Sequence, residues 1–105
     1  MELSIRRSQS GETSIVRLTG PLTLGPDLLL ADEFRHSVAA GRTELVVDLA
    51  EVSTIDSAGL ATLLFGQAEL KRVGGRLQLA NLARQHLRSL AIARLQNAFP
   101  IASCA

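Results

Sequence analysis

The chain has 105 residues, of which 47% are hydrophobic and 20% are charged, and this size and composition are typical of one folded domain rather than of a disordered chain. Eleven basic and ten acidic residues leave a net charge of +1, and the aromatic residues are three phenylalanines. These values argue against a base-stacking platform and against non-specific nucleic-acid binding. We therefore expect a single domain over residues 1–105 with no nucleic-acid partner.

Targeting and redox signals are also weak in this sequence. Its apolar runs are far shorter than the roughly 18 residues of a membrane-spanning helix, and the charged N-terminus is not followed by the apolar segment of a signal peptide. We expect a cytoplasmic protein without direct membrane insertion. The single cysteine, Cys104, has no partner for an internal disulfide and no neighbouring metal ligands. We predict neither a cofactor nor a metal site.

The first half of the chain begins with a predicted β-hairpin. Residues 3–7 and 14–19 contain β-branched residues in partial alternation, and the segment 8–12 between them is rich in turn-forming residues. A helix is predicted over residues 26–40, and it ends at Gly41. Its apolar side is indicated by residues that recur every four positions: Leu30, Phe34 and Val38.

The middle of the chain predicts a central strand followed by a helix. Residues 45–49 form a nearly continuous apolar run, a pattern typical of a strand covered on both faces. A connection over residues 50–55 then leads to Asp56 and Ser57. The second helix begins there and ends at a Gly-Gly pair, residues 74–75.

The last third predicts a strand over residues 76–80, a third helix and a brief edge strand over residues 98–101, where proline is tolerated. The third helix is indicated by its apolar residues: Leu82, Leu87, Leu90, Ala91 and Leu95. Alternation of strands and helices after an opening hairpin favours an α/β fold, with a mixed β-sheet and α-helices packed against it.

The candidate site is the turn between the central strand and the second helix. Asp56 or Ser57 is able to cap the helix by accepting hydrogen bonds from its first N–H groups, and capping alone would account for both residues. Inside a helix, glycine is about 1 kcal/mol less favourable than alanine. We interpret the presence of Gly59 as a sign that another molecule approaches the backbone closely there. With Ala58 also small, we expect the Ser57 hydroxyl to be accessible to a second protein.

These segments together resemble the STAS domain, the family of sulfate transporters and anti-sigma factor antagonists. The resemblance covers roughly residues 3 to 101, and its strongest element is the Asp-Ser-x-Gly sequence placed directly after a buried strand. The matching segments are Val16–Gly20, Leu45–Leu49, Ile55–Leu60, Leu77–Leu82 and Phe99. The chain is most similar to the stand-alone bacterial members of the family.

The resemblance implies a regulatory protein rather than an enzyme. In anti-sigma factor antagonists, the serine that corresponds to Ser57 is phosphorylated by the partner, an anti-sigma factor that is also a serine kinase. The unphosphorylated form binds this partner and frees a sigma factor for transcription, and phosphorylation ends the binding. The resemblance thus implies phosphorylation of Ser57 and a phosphatase as a further candidate partner, and we assign the partner contacts to Thr23, Thr54, Asp56, Ala58 and Gly59. Thr23 departs from the family pattern, which often has an acidic residue near this position.

Two other functions compete with this one. A serine hydrolase would need glycine two residues before its nucleophile, where this chain has Ile55, and we expect His36 and His86 on the solvated surfaces of helices rather than as a general base. The second alternative keeps the fold and changes the partner. The protein would then be an accessory subunit of a membrane-lipid ABC transporter or a component of a stress-signalling assembly, with Ser57 inside a permanent interface.

Overall fold

The computed structural model describes residues 2–95 and 97–102, so Cys104 lies outside the described residues. The described part contains four strands and three helices. The strands are β1 (Ser4–Ser10), β2 (Thr13–Leu22), β3 (Glu44–Ile55) and β4 (Arg76–Ala80). The helices are α1 (Asp27–Ala39), α2 (Ser57–Arg72) and α3 (Arg84–Ile92).

The strands form one mixed sheet in the order β1-β2-β3-β4. The hairpin β1–β2 is antiparallel, whereas β2, β3 and β4 are parallel to one another, as expected for strands joined by helical crossovers. Beyond β4, Ile101 pairs with Leu79 in a single bridge, which reduces the predicted edge strand to one contact. The predicted α/β class with a mixed sheet is confirmed.

The core lies between one face of the sheet and the helices α1 and α2. Alternate residues of the three parallel strands point into it and are buried: Val16, Leu18, Leu45, Val47, Leu49, Leu77 and Leu79. Each such side chain contributes about 1.5–3 kcal/mol by leaving water. The two helices pack closely, because a Cβ atom at Gly66 of α2 would overlap the Phe34 ring of α1.

The other face of the sheet is polar and partly open, so the prediction of a strand covered on both faces is wrong. Val46 is only half-buried there. Asp48 is buried and accepts hydrogen bonds from Arg17 Nε at 3.1 Å and from the Asn81 side chain at 2.9 Å. Burial by itself would raise the pKa of Asp48, but these bonds and one from the Ala50 N–H outweigh it and lower the pKa.

The central strand is longer than its apolar run. β3 continues through residues 50–55, which the sequence assigned to a connection, because those residues pair with the second half of β2. A register shift lies between Arg17 and Thr19 of β2, where β3 contains one extra residue. Such a bulge breaks the simple alternation from which a strand is recognised.

The end of α2 follows the prediction. Gly74 adopts φ +79°, and the Gly75 N–H donates to the Leu70 carbonyl at 2.7 Å. This is a Schellman motif, in which glycine takes the left-handed position without strain.

The third helix packs across β3 through a buried histidine, which corrects the expectation of a surface His86. The side chain is 2% exposed. Its Nδ1 accepts from the Ala83 N–H at 3.2 Å, and this leaves Nε2 to donate to the Val52 carbonyl at 3.1 Å. Burial of the neutral ring is tolerated because both nitrogens have partners. His36 is exposed, as expected.

Candidate functional site

The candidate site lies where two adjacent parallel strands end together. Leu22, the last residue of β2, pairs with Ile55, the last residue of β3. The loop that leads into α1 and the turn that starts α2 therefore leave the sheet side by side, which is the usual place for sites in α/β proteins. The sheet thus brings together Thr23 and Asp56, which are far apart in the sequence.

Asp56 joins these two segments. Its Oδ1 accepts from the Gly59 N–H at 2.9 Å and caps α2, while its Oδ2 accepts from the Leu24 N–H at 3.0 Å. These two backbone hydrogen bonds, led by the one from Gly59, lower the pKa of Asp56. The carboxylate is therefore a fixed negative charge that holds the loop against the helix.

Ser57 is the first residue of α2 and is exposed. Because Asp56 takes the capping role, the serine hydroxyl is not needed to start the helix. The position combines access from solvent with the positive end of a helix macrodipole. The Ser57 side chain therefore lies at the protein surface, at the start of α2.

Gly59 has a different role from the one inferred from sequence. It is buried, and a Cβ atom at this position would overlap the carbonyl oxygen of Leu22 and approach the Leu22 side chain at 2.9 Å. The close approach that requires glycine is therefore made by β2 of the same chain. The interpretation of Gly59 as space for a visiting protein is corrected accordingly.

The other residues assigned to partner contacts surround Ser57 to different degrees. Thr54 is exposed near the end of β3, and Ala58 is half-buried beside the serine. Thr23 is half-buried, and its carbonyl accepts from the Asp27 N–H at 2.9 Å to start α1. Thr23 and Ala58 lie within the two segments that Asp56 connects, and Thr54 lies in the strand just before them.

Two exposed leucines next to this site were not singled out from the sequence. Leu24 is 80% exposed and Leu28 is 65% exposed, and we call these two residues the leucine pair. Leu24 is bonded to Asp56, and Leu28 follows Asp27, whose side chain accepts from Thr62 of α2 at 2.8 Å. The signal was present in the run of three leucines at residues 28–30, since one buried face of a helix does not accommodate consecutive apolar residues.

The geometry gives no support to a hydrolase. Both ring nitrogens of His86 are occupied by backbone groups, and His36 lies exposed on α1.

Within residues 2–95 and 97–102, no group of three or more histidine, cysteine, aspartate or glutamate side chains is placed to hold a metal ion. None of the helices in that same part of the chain is long and apolar enough to cross a membrane.

The family is decided by a match over almost the whole chain. Residues 5–101 match the family model described as "Mlab, STAS domain". The chain belongs to the STAS domain family. A search of curated protein sequences gave no match for this STAS domain.

Solved structures of similar fold agree with this assignment. The Thermotoga maritima protein TM1081 is 18% identical, with a TM-score of 0.86 over 94% of this chain and 86% of that one. An anti-sigma factor antagonist from Mycobacterium paratuberculosis is 21% identical, with a TM-score of 0.83 over 95% and 85% of the two chains. The antagonist SpoIIAA in its unphosphorylated form is 21% identical, with a TM-score of 0.74 over 97% and 89%. At these identities the likeness concerns the fold of the STAS domain.

Proposed function

We propose that this STAS domain is a cytoplasmic, non-enzymatic anti-sigma factor antagonist whose binding to an anti-sigma factor is ended by phosphorylation of Ser57. The observation that carries the proposal is the exposed Ser57 at the first position of α2, next to Asp56, whose carboxylate accepts a hydrogen bond from the N–H of the exposed Leu24. Similarity in fold to SpoIIAA, of which structures exist in the unphosphorylated and phosphorylated forms, supports it.

The modification itself is compatible with the fold. A kinase partner transfers the γ-phosphoryl group of ATP to Ser57 Oγ, the hydroxyl proton is lost and ADP leaves. The product carries about −1.5 to −2 charges at pH 7. At a helix N-terminus this charge lies at the positive end of the macrodipole. The domain therefore stays folded after phosphorylation.

Inside an interface the same charge is unfavourable. A partner seated on the leucine pair would remove water from the neighbouring Ser57, and a phosphate there would be desolvated next to the fixed charge of Asp56. Every 1.4 kcal/mol of penalty lowers the affinity about tenfold. A penalty of a few kcal/mol is enough to release the partner.

The test measures affinity for an anti-sigma factor with serine-kinase activity from the same organism, by calorimetry with purified proteins. Ser57→Asp is expected to weaken binding about tenfold or more, whereas Ser57→Ala keeps wild-type affinity and abolishes labelling by ATP. Ser53→Asp is the matched control. Ser53 is exposed on β3, and the introduced aspartate adds the same charge outside the turn that begins α2. If mass spectrometry found the phosphate on another residue, or if Ser57→Asp bound the partner as well as wild type does, the proposed switch at Ser57 would be contradicted.

A permanent interface is the second candidate function. Exposed leucines beside Ser57 also suit a subunit that stays bound, such as an accessory subunit of a membrane-lipid ABC transporter or a part of a stress-signalling assembly. Neighbouring genes for a kinase or phosphatase favour the switch, and neighbouring permease and ATPase genes favour the subunit. In the second case, co-purification with the partner is expected to survive treatment with kinase and ATP.

A further inference from the structure

The charges of this protein are segregated along the chain. All ten acidic residues lie within residues 1–69, whereas residues 70–105 contain six arginine and lysine residues and no aspartate or glutamate. The net charge of +1 therefore hides an acidic first part and a basic last part. A strong asymmetry of this kind points to a partner of opposite charge.

The helix α3 brings part of this basic segment to the surface. Its outward side carries Arg84 and Arg88 with Leu87, which is 50% exposed, and Ile92, which is 79% exposed. Arg94 is exposed just beyond the helix. We call these five residues the α3 surface. The opposite side of the helix is buried through His86 and Leu90, so the exposed apolar residues are not needed for the core.

The arginines of the α3 surface differ from most others in the protein. Arg7, Arg17, Arg35, Arg72 and Arg76 each lie within 4.0 Å of a carboxylate oxygen. Across residues 2–95 and 97–102, no such ion pair is formed by Arg84, Arg88 or Arg94. Three exposed arginines thus lie on and just beyond the helix that carries two exposed apolar side chains, and their charge is available to a ligand.

We propose that the α3 surface is a docking site for an acidic, apolar-containing segment of a partner protein. Guanidinium groups bind carboxylates through paired N–H donors, and Leu87 with Ile92 would bury apolar side chains between them. A nucleic acid would use the arginines but not the leucine and isoleucine. A membrane surface is a weaker fit, because a nine-residue helix with two exposed large apolar residues offers little area to insert.

This docking site is separate from the phosphorylation switch. Gln85 Nε2 donates to the Ser53 carbonyl of β3 at 3.1 Å, whereas Ser57 begins α2, and no residue of the α3 surface belongs to the turn that carries the serine. A partner could use the α3 surface whatever the state of the serine. Ser57→Asp is expected to leave this second binding unchanged, which distinguishes failure of this inference from failure of the proposed function.

The test uses the whole protein and a synthetic twelve-residue peptide of glutamate and leucine as the probe. Binding is followed by NMR chemical shifts at low and at high salt. The triple variant R84Q/R88Q/R94Q is expected to weaken binding about tenfold or more, with shifts in the wild type confined to α3 and its flanks. The matched control R6Q/R35Q/R72Q removes the same charge from other exposed arginines and is expected to stay within about twofold of wild type.

Leu87→Ser/Ile92→Ser separates the two parts of the site. It keeps every charge and is expected to weaken binding several-fold. Equal losses in the two arginine variants would reduce the effect to net charge and overturn the proposal. The proposal would also be overturned if the wild-type protein bound a DNA duplex, or vesicles containing phosphatidylglycerol, but did not bind the peptide.

Discussion

At the scale of single residues, Ser57 and Gly59 stand two positions apart in α2 and have opposite surroundings. Ser57 is exposed, whereas Gly59 is buried against the Leu22 carbonyl. Both are small residues in the first turn of one helix, and from sequence we assigned both to the contact with a partner, Ser57 as the phosphorylated residue and Gly59 as the point of close approach. The packing of β2 beneath the helix separates a residue available to a partner from one that holds the site together.

Replacing Gly59 tests this packing. Helix propensity alone predicts that Gly59→Ala stabilises the protein by about 1 kcal/mol. Because the new methyl group would overlap Leu22, we expect instead a loss of about 1–3 kcal/mol in the free energy of unfolding, measured with urea. Ala61→Gly, at an exposed position of the same helix, is the control and should cost about 1 kcal/mol through propensity. An unchanged or raised stability of Gly59→Ala would contradict the close contact.

At the scale of elements, α3 is held against the sheet by two buried residues, His86 and Leu90. His86 ties the first turn of the helix to the Val52 carbonyl of β3, and the helix ends without glycine, because Arg94 occupies the left-handed position at φ +60°. Burial lowers the pKa of His86, and the hydrogen bond to Val52 opposes this shift only in part. A proton added at Nδ1 would also remove the acceptor of the Ala83 N–H.

This histidine predicts a pH dependence of stability. The unfolded chain, with an ordinary histidine pKa near 6.5, binds a proton that the folded state resists. Stability is therefore full above about pH 6.5 and falls as the pH drops towards the lowered folded pKa, by at most about 1.4 kcal/mol per pH unit. We expect urea denaturation between pH 7.5 and pH 5 to show this slope in wild type and in the His36→Gln control.

The His86→Gln variant is expected to be less stable at every pH but nearly flat over this range. The carboxylates with lowered pKa, Asp48 and Asp56, titrate below their ordinary value of 3.8 and do not contribute there. A slope that persisted in His86→Gln would place its origin elsewhere.

At the scale of the whole molecule, the order of the strands decides where stability is greatest. β2 and β3 are the central strands, and their inward side chains contribute seven of the seventeen buried core residues in the described part of the chain. β1 is an edge strand whose residues are almost all exposed, and α3 makes few contacts with the sheet. Local opening at the edges therefore costs less free energy than opening at the centre.

Amide hydrogen exchange measures this gradient. Protection at the paired amides of β2 and β3 is expected to approach the free energy of global unfolding, while amides in β1 and α3 exchange about tenfold faster or more. The same exchange rates throughout would indicate that the molecule opens only as one unit. A partner bound at the α3 surface should slow exchange in α3 selectively.

Much of the fold could be read from local chemistry. The sequence predicted β4 over the residues that form it, the hairpin of β1 and β2, a helix cap at Asp56 or Ser57 and the glycine-terminated end of α2. Each of these features depends on neighbouring residues: alternation, a capping side chain or a glycine in the left-handed region. With the order of strands and helices, they were sufficient for the α/β class and the STAS resemblance.

The remaining features were decided by tertiary packing. The continuation of β3, the burial of His86, the role of Gly59 and the exposure of the leucine pair all depend on which distant segment lies alongside. Periodicity indicates that a helix has an apolar side, but it does not indicate whether another segment covers a residue such as Leu28. The chain alone therefore determined the order of the strands and helices and the position of Ser57 at the start of α2, because caps and periodicity are local. The pairing of β2 with β3 decided what surrounds that serine, because the ends of two parallel strands meet only in the folded sheet.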